Sequence, residues 1–102
     1  MPAAITLDLR EGFDADDVIV HAAGAADIEL HAVKTRMQIG LARTLPLTLP
    51  SDTARIEIEL PRRGVRAAIE LLPGRPLWVG ASLSRDGQRL ELKQQLEPFR
   101  YA

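Results

Sequence analysis

The sequence predicts an all-β protein, an antiparallel β-sandwich of seven to eight short strands. Three observations predict it. Apolar residues recur with a period of two along most of the chain, the mark of half-buried strands. Breaks rich in Gly, Pro and Asp separate these runs every 8–12 residues or so, the spacing of a sandwich or small barrel. No segment sustains a 3.6-residue period between helix caps. At 102 residues the chain is read as one domain, 1–102, with room for one core.

The elements follow in order. Ile5, Leu7 and Leu9 alternate with Thr6, Asp8 and Arg10, giving a first strand that ends at the turn-rich stretch from Glu11 to Asp16. Asp17 to Ala22 forms a second strand, in which contiguous Val18, Ile19 and Val20 imply cover on both faces or a twist. A loop over Ala23–Asp27 leads to a third strand, with Ile28, Leu30 and Ala32 on one face and Glu29, His31 and Val33 on the other. Met37, Ile39 and Leu41 continue the alternation after a bend near Thr35. Thr44 to Pro50 alternates too, but two prolines cannot donate ladder hydrogen bonds and assign it to a sheet edge.

After a turn at Ser51-Asp52-Thr53, Ile56, Ile58 and Leu60 lead through Pro61-Arg62-Arg63-Gly64 into Val65, Ala67, Ile69 and Leu71, a hairpin. Pro73-Gly74-Arg75-Pro76 breaks the chain. Leu77, Val79, Ala81 and Leu83 then alternate, Arg85-Asp86-Gly87 turns, and Leu90 and Leu92 make the last strand. The tail is expected to be packed down by Phe99 and Tyr101.

Composition narrows the function classes. Hydrophobic residues at 46% and charged residues at 26% are ordinary globular values. The absence of Cys excludes disulfides, thiolate metal sites and Cys nucleophiles. No apolar run reaches the ~20 residues of a membrane-spanning helix. The opening Met1-Pro2-Ala3-Ala4-Ile5-Thr6-Leu7-Asp8 lacks the basic start and apolar stretch of a secretory leader, so a cytoplasmic location is expected. Eleven of the thirteen bases are Arg, and with the Ala content this points to a GC-rich bacterial source. Residues 1–31 hold seven acids and one base, whereas 32–102 hold seven acids and twelve bases. Such a molecule has the charges to dock head to tail, unless strands from both halves interleave and cancel the asymmetry.

The chain as a whole resembles the immunoglobulin, fibronectin type III and transthyretin-like sandwiches in architecture. The stretch Pro76-Leu77-Trp78-Val79-Gly80-Ala81-Ser82-Leu83, then Asp86-Gly87 and the ending Glu97-Pro98-Phe99-Arg100-Tyr101, is similar to small bacterial proteins of that shape. The Cys…Trp…Cys core of antibody domains is missing. The resemblance implies an immunoglobulin-like fold and brings no activity or site residue with it.

Candidate chemistry is sparse. A nucleophilic triad would draw on Ser51, Ser82 or Ser84 with His21 or His31, which meet only if the second and third strands bring the histidines together. A metal or small-ligand site, enzymatic or not, would draw on His21, His31, Asp14, Asp16 and Asp17. That set lacks the Gly and later Glu of a calcium-binding loop. Glycines are scattered singly and make no phosphate-binding loop. Arg62, Arg63 and Arg66 cluster at a hairpin tip, but a pI near 6.1 and four aromatic residues disfavour nucleic acid. Arg66 is expected to face Glu57 or Glu59 across that hairpin. Trp78 shares a face with Gly80, Ser82 and Ser84, where it either shields the glycine backbone or anchors an interface. The expectation is a non-catalytic protein-binding or assembly module without metal or cofactor. It would bind a protein partner or form a homo-oligomer, with Trp78, Arg62 and Arg63 as contacts.

Overall fold

The computed structural model describes residues 3–22, 26–36, 40–49, 55–71 and 77–99. Eight strands form two four-stranded sheets, and the described residues contain no helix. In chain order they are β1 (Ala3–Leu9), β2 (Asp16–Ala22), β3 (Ile28–Val33), β4 (Arg43–Leu49), β5 (Arg55–Leu60), β6 (Val65–Glu70), β7 (Leu77–Leu83) and β8 (Leu90–Gln95). The first sheet has the order β4-β1-β7-β8 and the second β3-β2-β5-β6. The loops expected around Ala23–Ala25, Ser51–Thr53 and Pro73–Pro76, and the positions of Met37, Ile39, Pro50 and Tyr101, lie outside the described residues.

The period-two pattern places the core. Ile5, Leu7 and Leu9 lie beside Leu77, Val79 and Ala81 on the inner face of the first sheet. Val18, Val20, Ile56, Ile58, Leu60 and Val65 face them from the second, and all of these belong to one buried cluster. Phe13, expected in a turn, is also buried there. At roughly 1.5–3 kcal/mol per fully buried aliphatic side chain, this cluster is what holds the sheets together.

One feature of the expected sandwich is corrected. The expected sandwich is antiparallel throughout, but β1 and β7, the two central strands of the first sheet, run parallel. Alternation says which face a residue occupies and nothing about strand direction. Direction depends on how the chain re-enters the sheet, and here it re-enters after crossing to the second sheet and back.

A second correction lies in β3. Asp16 pairs with Val33 and Val18 with Leu30, so β3 carries one residue more than β2 over this span. Ala32 takes φ +55 in the bulge. Leu30 and Val33 therefore both point inward, whereas Ala32 is exposed. Simple alternation had the last two reversed.

Leu41, expected to continue a strand, instead bridges back to Arg36 outside the strands, whereas β4 and the β5–β6 turn agree with the pattern. β4 is an edge strand that contains Pro46. The β5–β6 turn is closed by the Arg63 amide donating to the Leu60 carbonyl at 3.1 Å, with Gly64 at φ +67. Between the two sheets, the Gln94 side-chain amide donates to the Glu70 carbonyl at 2.5 Å, joining the β8 and β6 edges.

Candidate functional site

Four connections, described at 10–15, at 34–36 with 40–42, at 61–64 and at 84–89, meet at one end of the sandwich. The Thr35 hydroxyl holds two of them together. It accepts from the Phe13 amide at 3.0 Å and donates to the Arg10 carbonyl at 2.6 Å. The Thr35 amide donates to the Phe13 carbonyl at 2.9 Å. The Leu83 amide donates to the Glu11 carbonyl at 2.8 Å, bringing the β7 end alongside. Gly12 is obligatory here: its φ is +92, and a Cβ would stand 2.6 Å from the Leu83 Cβ.

Arg63 ties the third connection in. Its Nε donates to Asp16 Oδ1 at 2.6 Å and its Nη2 to Asp16 Oδ2 at 3.1 Å, a bidentate pair across 47 residues of sequence. Asp16 is 5% exposed. Burial by itself would raise its pKa. The Arg63 hydrogen bonds, the Asp14 amide and the attraction of Arg63 and Arg62 outweigh that, and the carboxyl is held below its ordinary value. The same contact raises Arg63 further above its ordinary range. Arg63, expected at a free tip, is thus engaged inside the fold, while Arg62 beside it is exposed.

Between these loops lies a cleft of about 420 Å³. Glu11 beside Gly40 and Arg63 beside Gly87 both line it, together with Arg85. The Ser84 hydroxyl donates to Asp86 Oδ1 at 2.5 Å, and the Gln88 amide donates to the same oxygen at 3.0 Å. The Ser84 bond first, then the Gln88 amide, lower the Asp86 pKa.

The two histidines are not brought together. In the β2–β3 hairpin, His21 lies at the Ile28 end and His31 at the bulged end. His21 Nδ1 stands 3.0 Å from Asp27 Oδ1, and its Nε2 stands 3.2 Å from Glu59 Oε1. The Glu59 hydrogen bond, then the Asp27 one, raise its pKa above the ordinary value. His31 Nδ1 stands 3.3 Å from Asp17 Oδ1. Neither histidine contacts Ser82 or Ser84 through a hydrogen bond, and Ser51 lies outside the described residues. Among the described residues no three His, Asp or Glu side chains converge on a point that could take a metal ion. The His21 carboxylates sit on opposite ring nitrogens, which is why they do not.

Trp78 is half-buried on the outer face of the first sheet, between Thr6 and Gln95. The nearest cover of Gly80 comes from Phe99 and Arg10: a Cβ at Gly80 would lie 2.9 Å from both Phe99 Cζ and Arg10 Cδ. The Arg10 guanidinium carbon stands 4.6 Å from the Phe99 ring centre, a cation–π contact.

Strands from the two halves interleave, and charge is divided in a different way. The four connections at the cleft end carry seven bases (Arg10, Lys34, Arg36, Arg62, Arg63, Arg85 and Arg89) against the acids Glu11, Asp14 and Asp86. The outer face of the second sheet carries five acids (Asp17, Glu29, Glu57, Glu59 and Glu70) against Arg55 and Arg66. Arg66 stands 3.3 Å from Glu59 and 3.9 Å from Glu57, as the hairpin spacing predicted. Sequence halves hid this division, because each strand delivers its loop charges to the end and its alternate residues to the face.

No family model matches the chain, and no curated protein matches it. Among solved structures, the NMR structure of a protein from Eubacterium rectale superposes with a TM-score of 0.58. The match covers 92% of this chain and 90% of that one at 10% identity, so what is shared is the fold. Among the described residues no helix is long and apolar enough to cross a membrane.

Proposed function

We propose that the chain is a non-catalytic binding or assembly module that associates with a second copy of itself. The basic loop end of one molecule would dock on the acidic outer face of the second sheet of the next. The observation that carries this is the segregation of charge between those two surfaces. Complementary potentials steer association and fix orientation more than they add affinity. A head-to-tail contact of this kind closes into a ring or extends as a filament. Arg62, exposed at the loop end, is the contact assigned on the basic side, and Glu57 its counterpart on the acidic side. Arg63 acts as a positioning residue that fixes the tip. Trp78 lies on the other sheet and would serve a separate apolar contact. The two packed four-stranded sheets support the immunoglobulin-like reading at the level of architecture, and that architecture carries no activity with it.

The test is molar mass by light scattering across protein concentration at low and moderate salt. Concentration-dependent growth that salt suppresses is the expected result, because exposed charges are screened beyond about 10 Å at 0.1 M. Arg62→Glu should abolish it, and Glu57→Arg in the same chain should restore part of it. A monomer under all conditions, or an oligomer indifferent to both salt and Arg62→Glu, would overturn the proposal. Loss of assembly in Trp78→Ala alone would move the contact to the first sheet.

A further inference from the structure

We infer that the loop-end cleft is a binding site for a small zwitterion of amino-acid or dipeptide size, which takes its ammonium at Glu11 and its carboxylate at Arg85. The cleft lies in the same loop end that the self-association proposed above would use, but its lining does not include Arg62.

The cleft holds two poles of opposite sign. Four charged side chains line it: Glu11, Arg63, Arg85 and Asp86. Two are already committed within the fold. Asp86 accepts from Ser84 and Gln88, and Arg63 is paired with Asp16. Glu11 and Arg85 form no ion pair with any described residue, nor with each other, although they line one cleft. Opposite charges that share a cleft and stay apart are matched by a ligand that spans them.

Glycines shape both poles. The Glu11 carboxylate lies over Gly40, whose φ is +66 and whose missing Cβ would come 3.2 Å from Glu11 Oε1. At the other pole the Arg63 Nη1 lies against Gly87, where a Cβ would collide with it. That nitrogen is the one Asp16 does not use. It gives the carboxylate pole a second donor beside Arg85, and paired guanidinium donors suit a carboxylate's geometry. The buried Leu83 contributes an apolar part of the wall. A volume of about 420 Å³ is at the lower end for small-molecule sites, which fits a ligand of this size.

The experiment is an amide NMR titration of the full chain with glycylglycine, its N-acetyl form and its C-terminal amide. Each is taken to about 10 mM, well above a Kd of about 1 mM. The expected result is saturable shifts of the Gly12, Gly40 and Gly87 amides with glycylglycine, and affinities at least about tenfold weaker for the two blocked forms, which is about 1.4 kcal/mol each. Glu11→Gln should weaken glycylglycine while leaving the N-acetyl form unchanged. Arg85→Gln should weaken glycylglycine while leaving the amide unchanged. Both side chains are exposed, so both variants should keep the parent spectrum elsewhere. Absence of shifts at these glycines, equal binding of all three probes, or indifference to both substitutions would overturn the inference. Low-salt light scattering of the same samples keeps its fate separate from that of self-association.

Discussion

The loop end and the outer face of the second sheet are both rich in charge, but they use it differently. At the loop end, Asp16 is buried and held by two guanidinium hydrogen bonds, and the Thr35 hydroxyl satisfies two backbone groups of the 10–15 connection. On the sheet face, Arg66 spans Glu57 and Glu59 in the open, and His21 bridges Asp27 and Glu59 at a half-exposed position. Water competes for the second set and scarcely for the first. The difference teaches that the loop end is built to hold a shape, whereas the face is free to exchange its partners.

The largest effect should come from Arg63→Ala, which strips a buried carboxylate of its partner. About 3 kcal/mol of stability should be lost, the lower part of the range for breaking a buried pair, since Arg63 itself is partly exposed. Urea unfolding measures it. The sign with pH follows from the lowered Asp16 pKa. The wild-type advantage is present above the unfolded value of 3.8 and is lost as pH falls through the lower folded value. An advantage that grew towards acid would contradict the assignment.

Thr35→Val comes next. It keeps the shape but leaves the Phe13 amide and the Arg10 carbonyl without the hydroxyl, at a cost of about 2 kcal/mol. Faster hydrogen exchange at Phe13 should accompany the loss. An unchanged exchange rate would mean that Thr35 does not hold the segment.

On the sheet face the effects should be smaller. The raised His21 pKa contributes stability that is fully present below the unfolded value of 6.5 and is lost as pH rises through the higher folded value. His21→Gln should therefore narrow its gap to the parent as pH increases, read from melting temperatures between acid and alkaline buffers. Arg66→Ala should cost about 0.5 kcal/mol or less and become undetectable at high salt. A larger or salt-independent loss would erase the contrast between the two regions.

The sequence made the sheet face readable and the loop end nearly opaque, for a physical reason. Glu57, Glu59 and Arg66 sit across one hairpin, where alternation and a short turn fix the neighbours. Seven to eight strands, the Pro46 edge and the turns at Gly64 and Gly87 are legible on the same local grounds. Asp16 and Arg63 are 47 residues apart, and no local rule couples them. Thr35 was visible as a bend but not as a staple. The β3 bulge was hidden because one extra residue reverses the phase without changing composition. The nearest cover of Gly80 comes from Phe99 and Arg10, which no local pattern links to it.

The side-by-side placement of β1 and β7 also sets the order in which the molecule is completed. A chain emerging from the ribosome delivers Ile5, Leu7 and Leu9 first, but their neighbours Leu77, Val79 and Ala81 only after six strands have appeared. The centre of the first sheet cannot be closed during most of synthesis. Pairings of such long sequence separation form slowly, and apolar strand edges wait exposed until they do. The β2–β3 and β5–β6 hairpins of the second sheet are local and can form early, and its central β2–β5 pairing spans a shorter stretch of chain than β1–β7 does.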